Sequence, residues 1–198
     1  MYMHVIRIPS PRSVIDRRGL TTQITALVEE VGAAKARKDI VQILREALAK
    51  GREEIARRLV ESPAAGYEVT EAQAFLVDQI LRIIHDHVIT DVYPANNRSK
   101  GERMTIAAVG GYGRGEMAPH SDVDLAFLTP LRSTPWCEQV IEAMLYFLWD
   151  LGLKIGQSSR SLDETVRMCK ADLTIRTAML EARYVWGDQE LFEEAKQR

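Results

Sequence analysis

Cysteine is nearly absent from this sequence. Its two examples, Cys137 and Cys169, stand far apart and form no CxxC pair. That spacing argues against a disulfide framework and reads as two reduced core thiols in a cytoplasmic protein. Long apolar runs are missing too. No stretch approaches the ~20 residues that a membrane-spanning helix needs, so a membrane is not an expected partner. The N-terminus shows no secretory pattern. There is no surplus of positive charge either: 26 Lys and Arg stand against 28 Asp and Glu, a formal net charge of −2. A general nucleic-acid binder usually carries a basic excess, so nucleic acid is not expected as a partner. This balance still leaves room for a local basic pocket around a triphosphate. Neither an internal repeat nor a low-complexity tract is visible. What the chain does have is core material. Hydrophobic residues make up 46% of its 198 positions, enough for one medium domain or a small one with a helical extension.

Residues 1–18 mix β-branched residues with Pro9, Pro11 and several arginines, which reads as an N-terminal arm. Residues 19–100 read as a helical region. Leu44, Ala47, Leu48, Ile55 and Leu59 fall near helical spacing, with Arg45, Glu46, Arg52, Glu53 and Arg57 on the other side as a solvated face. Ser62-Pro63-Ala64-Ala65-Gly66 breaks that run. A second helix starts at Thr70-Glu71, with Phe75, Leu76, Ile80, Ile83, Ile84 and Val88 as its stripe, and stops at Pro94-Ala95-Asn96-Asn97. The character then changes. Residues 105–109 form a β-like run, 110–121 a loop with four glycines, and 122–128 a second strand. An apolar helix follows over 136–151, containing Ile141, Met144, Leu145, Leu148 and Trp149, with Gly152 as its C-cap. Residues 153–159 are a candidate third strand, and helices fill the remainder. The order predicts an α+β fold with a small mixed sheet and helices on either side.

The chemistry concentrates in Val109-Gly110-Gly111-Tyr112-Gly113-Arg114-Gly115-Glu116-Met117-Ala118-Pro119-His120-Ser121-Asp122-Val123-Asp124-Leu125. Alternate residues of a strand share a face, so Asp122 and Asp124 point together while Val123 and Leu125 face apolar packing. Two like charges side by side repel, and a divalent cation removes that conflict. Hard carboxylate oxygens suit Mg²⁺, making Asp122 and Asp124 candidate metal ligands and catalytic residues. Two metals about 3.5–4 Å apart can clamp the attacking and leaving oxygens of a phosphoryl displacement. Gly110 and Gly111 let backbone N–H groups approach phosphate oxygens, Arg114 offers a forked cation, and Ser121 offers a hydroxyl. Two other phosphate motifs fail at the same place. A P-loop needs Lys after its last glycine, and a dinucleotide fingerprint starting at Gly111 needs glycine at 116; Glu116 stands in both positions.

A strand, a Gly-Gly turn, a loop of some ten residues and Asp-x-Asp on the next strand resemble the nucleotidyltransferase superfamily that includes DNA polymerase beta. The longer string GGYGRGEMAPHSDVDL resembles, more narrowly, the N-terminal catalytic domain of the bifunctional uridylyltransferase/uridylyl-removing enzymes that modify the nitrogen-signalling protein PII. Trp149-Asp150-Leu151-Gly152-Leu153-Lys154-Ile155-Gly156-Gln157 is similar to that family's segment after the core helix. Asp172-Leu173-Thr174-Ile175-Arg176-Thr177-Ala178-Met179-Leu180-Glu181-Ala182-Arg183 is similar to its following helix. The resemblance covers roughly residues 90–195. It implies a polymerase-beta-like core within 101–198, with UTP as donor and a PII tyrosine as acceptor. The family's full enzyme also carries an HD-type phosphohydrolase domain and paired ACT domains. Those do not fit in 198 residues, so the chain reads as a fragment from which uridylyl removal and glutamine sensing are not expected. An adenylyltransferase of the same superfamily and a silent nucleotide-sensing module are the alternatives.

Plainer roles compete at several positions. Arg114 and Glu116 also suit an internal ion pair that shapes the loop. Tyr112 and His120 suit loop packing. Tyr146, Phe147 and Trp149 suit core or interdomain packing. His85-Asp86 invites an HD-type metal reading, but adjacent helical residues project about 100° apart and further ligands are not evident. The superfamily often adds a third carboxylate. Asp150 and Asp163 are the candidates here, and the sequence assigns neither; Arg160 is a further candidate for the triphosphate.

Overall fold

The computed structural model describes residues 6–62, 66–95 and 99–198. Residues 1–5 of the expected arm, Pro63-Ala64-Ala65 of the expected break and Asn96-Asn97 lie outside the described residues. The elements run α1 (Pro11–Val14), α2 (Arg17–Val31), α3 (Ala33–Glu61), α4 (Gly66–His87, ending in a π-helical turn Val88–Val92), β1 (Thr105–Ala108), α5 (Gly110–Arg114), β2 (Val123–Thr129), α6 (Pro135–Asp150), β3 (Ile155–Ser161), α7 (Leu162–Ala171), α8 (Leu173–Leu180), β4 (Arg183–Gly187) and α9 (Gln189–Gln197). This is an α+β fold around one mixed sheet of order β3-β2-β1-β4.

The long helices form because their apolar residues recur at helical spacing. In α3, Ile40, Val41, Leu44, Leu48 and Ile55 are buried. Leu59, read with that stripe from the sequence, is 37% exposed. In α4 most residues from Val69 onward are buried, since the helix packs on α2, α3, α6 and β4. The arm is anchored as well: Val14 and Ile15 are buried in the core.

β1 pairs antiparallel with β2 and with β4, whereas β2 and β3 are parallel and joined through α6. Thr134 caps α6 by accepting the N–H of Cys137, and Pro135 opens it. Gly152, at φ 74°, turns the chain out of α6 into β3, as its position predicts. The alternation along β2 is real. Val123, Leu125 and Phe127 join one large cluster with Leu44, Leu76, Ile80 and Ile106. Ala126 and Leu128 face a second, smaller cluster with Leu162, Leu191 and Phe192.

Three expectations need correction. The glycine-rich stretch is not all loop, because Gly110–Arg114 closes a helical turn. The strand expected over 122–128 begins one residue later, and the one over 153–159 two residues later. The run after Asp172 is not one helix to Arg183: it stops at Leu180, and Arg183–Gly187 becomes β4. Phe147 packs in the core, as expected, while Tyr146 and Trp149 are half exposed and meet edge to face, which leaves them free for interdomain packing.

Candidate functional site

Asp124 sits on β2, and its backbone carbonyl accepts the N–H of Val109 just before α5. The end of β1, the glycine turn and the start of β2 therefore meet at one point. Asp122 precedes the strand and is exposed; Asp124 is half-buried. Burial first, and the Asp122 charge second, push the Asp124 carboxyl above its ordinary value. The two acids thus feel each other, as their spacing predicts. Among the described residues neither carboxylate has a hydrogen-bond or ion-pair partner, although the chain pairs many of its other acids.

Two glycines flank the Asp124 carboxylate. A Cβ on Gly110 would stand 3.2 Å from Oδ2, and Gly110 holds φ 61°, a conformation that disfavours side chains. On the other side Gly156 is the register partner of Asp124 across the parallel β2–β3 pair. A Cβ there would collide with Asp124 Oδ1. Sequence reasoning missed Gly156, because its role exists only through that register. The signal available was a glycine inside an expected strand.

Arg114 makes the ion pair of its plainer reading. Its Nε donates to Glu116 at 2.7 Å and its Nη1 to Glu181 at 2.8 Å. The bond to Glu116, and then the one to Glu181, hold the guanidinium firmly charged. Its Nη2 lies 3.8 Å from where a Cβ on Gly111 would be, so this nitrogen stands beside Gly111. Ser121 sits in the turn that delivers Asp122, its N–H donating to the carbonyl of Ala118 at 3.1 Å.

Tyr112 is loop packing of a consequential kind. Its hydroxyl donates to Asp78 at 2.6 Å, and Asp78 also takes two N–H groups of Arg183, at 2.7 and 3.1 Å. All three side chains are buried. Burial, and then the neighbouring Asp78, push the Tyr112 hydroxyl well above its ordinary value, so it stays a neutral donor. Burial works against the charge of Arg183, and Asp78 more than restores it.

The other candidates are engaged elsewhere. Asp150 pairs with Arg37 at 2.7 Å, and Asp163 accepts from Arg198 at 2.6 Å in the first turn of α7. Arg160 is four residues along β3 from Gly156, about 13 Å away at strand rise. His85 and Trp186 share Asp86, and His87 bonds Asp91 at 2.8 Å, so these side chains tie α4 together and to β4. Among the described residues no group of three or more His, Cys, Asp or Glu is placed to hold a metal. Cys137 is buried and Cys169 half-buried, both free thiols. No helix among the described residues is long and apolar enough to cross a membrane.

Residues 96–176 match the family model of the nucleotidyltransferase domain. The chain is 63% identical over 192 residues to the bifunctional uridylyltransferase/uridylyl-removing enzyme of Novosphingobium aromaticivorans, covering 97% of this chain and 21% of that protein. It is 60% identical to the same-named enzyme of Erythrobacter litoralis, with the same coverage. For that of Azospirillum brasilense the identity is 45% over 96% of this chain and 20% of the relative. The chain thus carries a match to the nucleotidyltransferase domain and is similar along nearly its whole length to these enzymes, of whose length it spans about a fifth.

Proposed function

We propose that this chain transfers a uridylyl group from UTP, with Mg²⁺, to a tyrosine hydroxyl of the PII signalling protein, releasing pyrophosphate. The observation that carries the proposal is the Asp122–Asp124 pair. Two neighbouring carboxylates without a cationic partner, one wedged between Gly110 and Gly156, are an acidic site that lacks its counter-charge. Their hard oxygens fit a divalent cation, and triphosphate oxygens would complete the coordination that two side chains leave open. The bound metal would supply charge neutralisation for the attacking hydroxyl and the departing pyrophosphate.

The chain's own groups have distinct parts in this reading. Asp122 and Asp124 would hold the metal at the start of β2. Gly110 and Gly111 allow the triphosphate to approach the backbone closely. The free edge of Arg114 and the hydroxyl of Ser121 bind phosphate oxygens. With Glu116 and Glu181 fixing the rest of its guanidinium, Arg114 is oriented before the nucleotide arrives. The names of the relatives support uridylyl as the group transferred. We assign residues 101–198 to the transferase core and the start of the next helical region, within a longer cytoplasmic enzyme.

Incubation with Mg²⁺, radiolabelled UTP or ATP, and purified PII tests the proposal. An Asp122→Asn/Asp124→Asn double variant runs alongside. Label on PII from UTP, absent with the variant, is expected. Label from ATP alone would make the chain an adenylyltransferase. Nucleotide binding without turnover, even when the chain is placed in the full-length enzyme, would make it a sensing module.

A further inference from the structure

The turn that carries Gly110, Gly111 and Arg114 is gripped from outside its own loop. Residues 181–183 pass beside it as the chain leaves α8 and enters β4. Glu181 takes the Nη1 of Arg114 at 2.8 Å. Two residues on, Arg183 donates to the backbone carbonyl of Tyr112 at 3.2 Å and lies 5.3 Å from the centre of the Tyr112 ring. Asp78 of α4 closes the grip, since it holds both Arg183 and the Tyr112 hydroxyl. Gly113 makes room for it: a Cβ there would stand 2.9 Å from the carbonyl oxygens of both Ala108 and Glu181. The turn thus has a buried arm, Asp78–Arg183–Tyr112, and an exposed arm, Glu181–Arg114.

We infer that Asp78, Glu181 and Arg183 are positioning residues for nucleotide binding, a two-armed clamp that fixes the Gly110–Arg114 turn and the free edge of Arg114 relative to Asp122 and Asp124. This inference rests on the nucleotide-site reading above. None of the three residues touches the nucleotide in this account. They act through Tyr112 and Arg114, and a shift of the turn moves the phosphate-binding groups away from the metal-holding pair. A bidentate buried Arg–carboxylate pair suits such a role, because its fork geometry fixes direction as well as distance.

Two variants release one arm each. Tyr112→Phe removes a single hydroxyl and leaves the ring buried and Asp78 still bound to Arg183. Glu181→Ala frees one side of an exposed guanidinium. Mg²⁺-dependent UTP binding by the 198-residue chain is measured by calorimetry, together with the urea midpoint and amide hydrogen exchange. Each variant is expected to bind UTP about fivefold more weakly, the effect of one lost hydrogen bond. Exchange should quicken at residues 110–114 and stay unchanged in β1 and β2. Lowered urea midpoints with unchanged UTP affinity would reduce the clamp to ordinary packing and overturn the inference. Tighter binding by Glu181→Ala would also overturn it, since Glu181 would then compete with phosphate for Arg114. Failure of the unaltered chain to bind UTP would remove the nucleotide-site reading, and the clamp with it.

Discussion

Replacing Gly156 by alanine tests the geometry of the candidate site at a position outside the recognisable motif. The new methyl would occupy the space of Asp124 Oδ1, with Asp124 Cγ only 3.4 Å away. The nearest backbone atom, Asp124 Cα, is 3.9 Å away, which is ordinary contact. The carboxylate must therefore rotate aside while the strands keep their register. Stability should fall by only about 1 kcal/mol, the low end for an added methyl in a packed site. Function should fall much further, because a misplacement of ~1 Å near reacting groups lowers rates by about 10²-fold. Urea unfolding and the rate of label transfer from UTP, measured on the same preparation, separate the two effects. A Gly156→Ala protein with a native transfer rate would refute the reasoning, since Asp124 would then have no need of its place between the two glycines. A loss of several kcal/mol with no change in rate would refute it as well.

The buried pair makes a different prediction. Asp78→Ala leaves Arg183 charged and unpaired in the core, which should destabilise the chain by about 3–5 kcal/mol in urea unfolding. Leu76 is fully buried, so Leu76→Ala should lower stability by about 2–5 kcal/mol through the cavity it leaves, without weakening UTP binding relative to the folded fraction. Asp188 caps α9 and pairs with Arg103; the Arg103 bond, helped by the N–H of Leu191, holds its carboxyl below the ordinary value against the opposing effect of burial. That stability is present above the unfolded carboxylate value and is lost as pH falls toward the lowered folded value. Asp188→Asn should therefore lower the urea midpoint at pH 7 and flatten its fall below about pH 4. An unchanged acid limb in the variant would sink that account.

The parts of this protein legible in its sequence are those fixed by local chemistry. Thr105–Ala108 and Val123–Thr129 announce themselves by short apolar and β-branched runs, and α3, α4 and α6 by apolar residues at helical spacing. The Asp-x-Asp pair is legible as a motif, although Asp122 stands just before β2 and only Asp124 lies in it. What stayed hidden depends on pairing at a distance. β4 exists because Arg183 to Gly187 finds β1, and the residues before it are helical enough to mask its start. Four glycines within six residues look like a loop, yet Tyr112 and Arg114 are tied on opposite sides and close a helical turn. Gly156 gains its meaning from a parallel register that no spacing reveals. The pairing of Arg114 with Glu116 was legible from their closeness in sequence, whereas its second partner, Glu181, is brought in only by the fold.

The central claim is that Asp122 and Asp124 together hold a divalent cation beside a nucleotide. Titration of the chain with Mn²⁺ in place of Mg²⁺, followed by electron paramagnetic resonance with and without UTP, tests it most directly. The account predicts bound Mn²⁺ that tightens when UTP is added and disappears in both Asp122→Asn and Asp124→Asn. Undiminished Mn²⁺ binding in both variants, or UTP binding indifferent to the metal, would contradict it.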